Sequence, residues 1–312
     1  MPDLAVETEN LTFDYRTGRA LDALSIQVPA GSIFGFLGPN GAGKTTTIRL
    51  LLGLLEPAAG RARVLGYDTR NQGDAIRSRT GVLFEYSGLY ERLSAEENLQ
   101  FYGRIWHLSP SERQTRIKEL LSHFDLWERR KETAREWSRG MRQKLAIART
   151  LMHRPSLIFL DEPTAGFDPV AAETLHDDLR RLATNEGVTL FLTTHNLAEA
   201  ERLCAQVAVV RAGKLLAVGS PAELSAQRGG SRVEIMGSGF SDQMMAMLRE
   251  RPEIVAVELQ SGVLHIQLCL GARAAPLVSL LVQAGAQVEE ARKPQTGLAE
   301  VFLTLIKEDE SP

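Results

Sequence analysis

Gly38-Pro39-Asn40-Gly41-Ala42-Gly43-Lys44-Thr45-Thr46 is the stretch on which the reading of this chain turns. It follows a short apolar run, residues 32–37, with the pattern of a buried strand. It precedes residues 44–55, whose apolar spacing is helical and which stop at Glu56-Pro57. Strand, glycine-rich turn and helix in that order make a cradle for phosphate groups. The glycines let backbone N–H groups curve around the oxygens, and the helix start adds its dipole. Lys44 supplies a point charge for β- and γ-phosphates, and the Thr45 hydroxyl suits Mg2+. A glycine-rich structural turn is the plainer alternative, and the flanking strand and helix weigh against it.

Two further apolar runs end in chemistry-bearing residues. Residues 157–160 (Leu-Ile-Phe-Leu) lead into Asp161 and Glu162, at the carboxyl end of a strand, where open α/β sheets bind ligands. Asp161 suits a Mg2+ contact, and Glu162 suits polarisation of an attacking water. Two carboxylates capping the next helix are the alternative. Residues 188–193 form a third strand, and His195 just beyond it is placed to reach a γ-phosphate oxygen. Trp137-Ser138-Arg139-Gly140-Met141 stands before a helical run, as an anion site or as a plain N-cap.

Around these runs the chain reads as an α/β protein. Residues 1–30 alternate apolar and polar, as in edge strands, and residues 91–152 are helical and rich in charge. Strands alternating with helices predict a parallel sheet covered on both faces. Residues 208–218 predict a hairpin turned at Ala212-Gly213. Composition shifts at residues 225–231 (SAQRGGS), a linker candidate. Beyond it the pattern is strand 232–236, helix 240–250, strands 253–259 and 262–268, helix 273–284, strand 286–292 and helix 297–306. That βαββαβ order is ferredoxin-like.

The bulk numbers narrow the function classes. The 312 residues suggest about two domains. Hydrophobic residues are 44% and charged residues 24%, the balance of a globular protein. A formal charge of −3 gives no bulk electrostatic case for nucleic acid or an anionic membrane surface. The N-terminus has no secretory pattern, and no apolar run approaches the roughly 18 residues needed to span a bilayer. A cytoplasmic chain without direct membrane insertion is the expectation. Cys204 and Cys269 lie far apart and read as buried free thiols.

In order and spacing these motifs resemble the nucleotide-binding subunits of ATP-binding-cassette (ABC) transporters, over about residues 4–224. GPNGAGKTT is similar to the family's Walker A motif, LIFLDEPT to Walker B, AGFD (165–168) to the D-loop, and His195 to the switch histidine. The resemblance implies a P-loop NTPase ABC cassette: a mixed sheet core, a helical subdomain at about 86–150, and a small α+β domain at 232–312 after a linker at 225–231. It implies ATP and Mg2+ as ligands, with nucleotide held by Gly38, Pro39, Asn40, Gly41, Ala42, Gly43, Lys44, Thr45 and Thr46 and adenine stacked on Tyr15. Catalysis falls to Lys44, Glu162 and His195, and metal to Thr45, Asp161 and Glu85. It implies a head-to-tail pair of cassettes, in which Ser138, Arg139, Gly140, Met141 and Asp168 contact ATP bound to the second copy. A separate permease is the other implied partner, and the S-x-G-M signature resembles the export branch. The ending TGLAEVFLTLI (296–306) is similar to tails in that branch.

Two motifs depart from the family's pattern. The signature has Arg139 where glycine is usual and Met141 where glutamine is, and Glu85 stands where the Q-loop has glutamine. A carboxylate there adds negative charge near the γ-phosphate. A soluble cassette acting on nucleic acid or ribosomes, and a weakly catalytic cassette that mainly binds nucleotide, are the competing readings.

Overall fold

The computed structural model describes residues 3–228, 231–269, 272–292 and 297–310. They divide into two compact units at Ser220 and Pro221. The first unit opens with strands β1 (Leu4–Tyr15), β2 (Gly18–Leu24), β3 (Gln27–Pro29) and β4 (Ile33–Leu37), then helix α1 (Lys44–Leu51). Strands β5 (Ala59–Val64) and β6 (Tyr67–Asp68), helix α2 (Gly73–Arg77) and strand β7 (Thr80–Leu83) follow. Helices α3 (Ala95–Ile105), α4 (Pro110–His123) and α5 (Arg139–Thr150) come next, in the span where the sequence places a helical subdomain. Strand β8 (Leu157–Asp161), helix α6 (Pro169–Glu186), strand β9 (Thr189–Thr194), helix α7 (Leu197–Leu203) and strands β10 (Gln206–Arg211) and β11 (Lys214–Gly219) complete it.

Among the described residues this unit holds two sheets. One runs β11-β10-β4-β9-β8-β7, parallel except for β11. Strands β4 and β8 are buried at every position, as a strand covered on both faces must be. Phe191 on β9 lies 5.5 Å from Phe34, 5.6 Å from Phe36 and 5.5 Å from Phe159 by ring centroids, which ties three neighbouring strands together. The second sheet is antiparallel, β2-β1-β5-β6 with β3 on β1. The edge-strand expectation holds for β2, at the end of this sheet, and fails for β1, which is flanked by β2, β3 and β5.

Helix α1 stops at Leu51, short of the expected residue 55. Gly53 adopts φ +63, and a side chain there would stand 2.6 Å from the Thr69 carbonyl, so the chain turns away. The β10–β11 hairpin turns at Ala212 and Gly213, both at positive φ, as the two-residue hairpin turn requires.

The second unit begins with helix α8 (Pro221–Arg228). The expected boundary at 224 and linker at 225–231 are therefore corrected in part. Proline suits the first turn of a helix, and the Ala, Glu, Leu and Gln that follow are good helix formers. Gly229 and Gly230 lie outside the described residues. Then come β12 (Ser231–Ser238), α9 (Asp242–Arg249), β13 (Ile254–Gln260), β14 (Val263–Leu268), α10 (Ala275–Gln283), β15 (Gln287–Arg292) and α11 (Leu298–Glu310). The sheet order β13-β14-β12-β15 is antiparallel throughout, with Val233, Ile235, Ile266, Leu277 and Leu281 in its core. Thr296, the start of the tail motif, is outside the described residues.

Both cysteines are free, but only Cys204 is buried. Burial pushes its thiol well above the ordinary range. Cys269 is exposed, because β14 ends one residue earlier at Leu268.

His153 stacks on Trp106 at 3.8 Å, and its Nε2 lies 3.1 Å from the Thr80 carbonyl. Its Nδ1 is buried without a partner. Burial, offset in part by the Thr80 contact, lowers its pKa to about 4. With the folded value depressed, its contribution to stability is intact above the unfolded pKa near 6.5 and is lost as pH falls towards 4. We therefore expect His153→Phe to lose less thermal stability than wild type between pH 7 and pH 5. Parallel melting curves at both pH values, with equal Tm losses, would count against this role.

Candidate functional site

Strands β4, β8 and β9 are adjacent, and their carboxyl ends form one edge. Leu37 is level with Thr194, and Asp161 with Thr193. Beyond β4 the chain wraps through Gly41 and Gly43, at φ +81 and +99, values that favour glycine. Gly38 is needed for another reason: a side chain there would meet the Val210 carbonyl at 2.3 Å. Gly43 caps α1 without a side-chain bond, so the first-turn N–H groups face an anion site. The β10–β11 turn supports the loop from beneath, where Gly213 N–H donates to the Ala42 carbonyl at 3.2 Å.

The three residues assigned to catalysis converge. Lys44 Nζ lies 3.0 Å from Glu162 Oε1, and His195 Nδ1 lies 2.9 Å from Glu162 Oε2. Lys44 also donates to the carbonyls of Gly38 at 2.7 Å and Pro39 at 3.2 Å. Glu162 adopts φ +50, a conformation that costs a non-glycine residue about 1–3 kcal/mol. Its N–H is held by the Thr193 carbonyl at 3.1 Å and the Thr193 hydroxyl at 3.2 Å. These bonds keep the strained residue aimed at the phosphate loop.

Asp161 accepts from Thr45 Oγ1 at 2.7 Å and from the Thr193 hydroxyl. A hydroxyl beside carboxylates is a hard oxygen set, which suits Mg2+ held by one or two protein oxygens plus phosphates. The residues present fit that ion. Among the described residues no cluster of three or more His, Cys, Asp or Glu is placed to hold a metal alone.

The cleft over this edge has a volume of about 700 Å³. Tyr15, Asn40, Lys44, Thr46, Glu85 and Arg139 are among its walls. Tyr15 stands edge-on to Phe13 at 4.8 Å, and its hydroxyl lies 3.3 Å from that of Thr46. Glu85 is exposed two residues after β7.

The residues expected to serve a second copy have local partners as well. Ser138 caps α5 by accepting from Met141 N–H, and Asp168 caps α6 through Val170 and Ala171. Gly140 lies near Phe167 and Ala171, and Met141 Sδ accepts from Arg129. Arg139 does not point away from its own chain. Its guanidinium rests on Gly166 and reaches the cleft wall.

Sequence reasoning passed over a buried network behind the site. Glu199 accepts from Thr164 at 2.6 Å, from His176 at 3.0 Å and from Thr194 at 2.5 Å. Burial disfavours its charge, but the bonds from His176, Thr164 and Thr194 prevail and hold the carboxyl below its ordinary value. Thr164 lies two residues past Glu162, and Thr194 precedes His195, so Glu199 ties both catalytic loops together. The one signal was the Thr193-Thr194 pair ending an apolar strand, since alternation sends the two hydroxyls to opposite faces. Glu199→Gln is expected to lower unfolding free energy by about 1–3 kcal/mol. It should reduce kcat for ATP with KM little changed, as judged by urea titration and steady-state hydrolysis. An altered KM at unchanged kcat would overturn the assignment.

Comparison with known proteins agrees with this geometry. The ABC transporter family model matches residues 21–165. Over 99% of its length the chain is 37% identical to the daunorubicin resistance ATP-binding protein DrrA3 of Streptomyces coeruleorubidus, covering 98% of that protein. It is 37% identical to the Nod factor export ATP-binding protein I of Paraburkholderia xenovorans, over 86% of this chain and 88% of that one. A solved dimeric structure, the ATP-binding cassette MJ0796 bound to ADP and Pi, superposes with a TM-score of 0.62 at 25% identity, over 69% of this chain and 98% of that chain. With its phosphate loop, paired carboxylates and His195 on one sheet edge, this chain belongs to the ABC transporter family, as one of its ATP-binding, ATP-hydrolysing cassettes.

Proposed function

We propose that this cassette powers a separate membrane permease, working as an export subunit in a pair of identical copies. The convergence of Lys44 and His195 on Glu162 carries the catalytic half of this reading. The transport half is supported by relatives named for drug resistance and for Nod factor export, which the chain matches over nearly their full length. Among the described residues no helix is long and apolar enough to cross a membrane, which accords with a path supplied by a second chain.

ATP lies with its β- and γ-phosphates in the loop 38–46 and its adenine against Tyr15. Phosphate oxygens compete with Glu162 Oε1 for Lys44, which frees that carboxylate oxygen. Glu162 then takes a proton from the attacking water, and His195 keeps the other carboxylate oxygen in place. Thr45 and Asp161 would hold Mg2+, with Glu85 facing it, and the ion supplies charge neutralisation at the phosphates. Ser138, Gly140, Met141 and Asp168 of one copy close over the ATP of the other, so ATP joins the pair and hydrolysis releases it.

The permease seats at Tyr86, Tyr90, Phe101 and Ile105, exposed large side chains near and on α3. Tyr90 and Phe101 pack edge-on at 4.8 Å, which gives that surface a fixed shape.

Glu162→Gln tests the catalytic core. Hydrolysis should fall by about 10²–10⁴ while ATP binding persists, and ATP should convert the variant to a two-chain species in sedimentation. Wild-type turnover would remove Glu162 from its role, and a single-chain species at saturating ATP would remove the paired reading. Titrating hydrolysis against Mg2+ tests Glu85: Glu85→Gln should need more Mg2+ for half-maximal rate, and superimposable curves would exclude a metal contact.

A further inference from the structure

Six charged residues line the nucleotide cleft among the described residues: Arg19, Lys44, Glu85, Arg139, Asp161 and Glu162. Four are engaged by their neighbours. Arg19 pairs with Asp14 and Asp22, both at 3.0 Å. Lys44 and Glu162 pair with each other, and Asp161 accepts from two threonine hydroxyls. Glu85 makes no hydrogen bond or ion pair among the described residues, and the guanidinium of Arg139 makes one long contact, 3.5 Å to the Gly166 carbonyl. The two uncommitted charges on the cleft wall are thus of opposite sign.

The position of Arg139 is built rather than incidental. It is the first residue of α5, directly after the capping Ser138, so its side chain leans back past the helix start. There it lies over Gly166, at φ +71. A Cβ at that glycine would stand 2.3 Å from Arg139 Nη1 and 2.9 Å from its Cζ. Glycine suits the backbone there and lets the guanidinium lie directly against it without displacement. Most of its donors stay free to meet an anion.

We propose that Arg139 acts on the nucleotide of its own chain, where it offsets the charge of Glu85, before any second copy arrives. ATP entering the cleft meets Glu85 as a repelling charge and Arg139 as an attracting one. Together they leave the field at the phosphates near that of a cleft with neutral residues at both places. Either one alone would unbalance it. The proposal rests on the ATP-binding reading of this cleft and adds to it a cis role for a signature residue.

The test is the affinity of the full chain for a fluorescent ATP analogue in EDTA, at a concentration where light scattering reports single copies. Omitting Mg2+ separates charge compensation from metal binding. Arg139→Gly should weaken binding roughly fivefold and Glu85→Gln should tighten it by a similar factor. The double variant should fall within about twofold of wild type, as should Arg139→Lys, which keeps the charge. At about 1 M salt both single effects should collapse, which a packing role would not do. Unchanged single-chain affinity in Arg139→Gly, or changes of the same sign in both single variants, would overturn the proposal. Lys44→Ala reports separately on its foundation: undiminished binding there would mean that the phosphate loop does not hold ATP.

Discussion

The parallel register of β4, β9 and β8 is the constraint on which the site depends. Those ladders set Leu37 level with Thr194 and Asp161 level with Thr193, so the phosphate loop, His195 and the paired carboxylates start from the same edge. A slip of one residue in β8 would turn Asp161 to the opposite face, away from Thr45. The aromatic contacts of Phe191 with Phe34, Phe36 and Phe159 resist such a slip, each pair contributing about 0.5–1.5 kcal/mol beyond its buried area. Core packing and catalytic geometry are here one requirement, because the rings sit within a few residues of the groups they align.

At the edge itself, polar groups take over from apolar ones. Thr193 faces Asp161 and the backbone of Glu162, while Thr194 faces Glu199 on the other side of the strand. One strand end therefore serves two networks. The first positions the carboxylates of Asp161 and Glu162. The second, centred on buried Glu199, links the loop after Glu162 to the turn carrying His195. Buried carboxylates persist only where donors surround them, and Glu199 has three from separate elements. Through Glu199 the turn carrying His195 and the segment leading to Asp168 share one hydrogen-bond network.

Much of this was legible along the chain because the determinants are local. Positive-φ glycines, a helix start without a side-chain cap and an apolar run ending in two carboxylates need no knowledge of distant residues. The hairpin at Ala212-Gly213 and the alternation of the second unit were readable for the same reason. Other features were not. The stop of α1 at Leu51 depends on the Thr69 carbonyl packing against Gly53. The helix over Pro221–Arg228 was masked by the glycine pair that follows it. Cys269 looked buried from its apolar neighbours, but the strand ends before reaching it.

By itself the sequence determined the phosphate loop, the strands that end at Leu37, Asp161 and Thr194, and the presence of Lys44, Asp161, Glu162 and His195 at their ends. Each rests on contacts within a few residues, where covalent spacing dictates geometry. The tertiary structure decided what those residues face. It alone set Glu162 between Lys44 and His195, joined Thr164, His176 and Thr194 on Glu199, and laid Arg139 over Gly166 in the cleft of its own chain. Apart from Thr194 and Glu199, those partners come from segments tens of residues apart, and only packing of the sheet edge determines which of them meet.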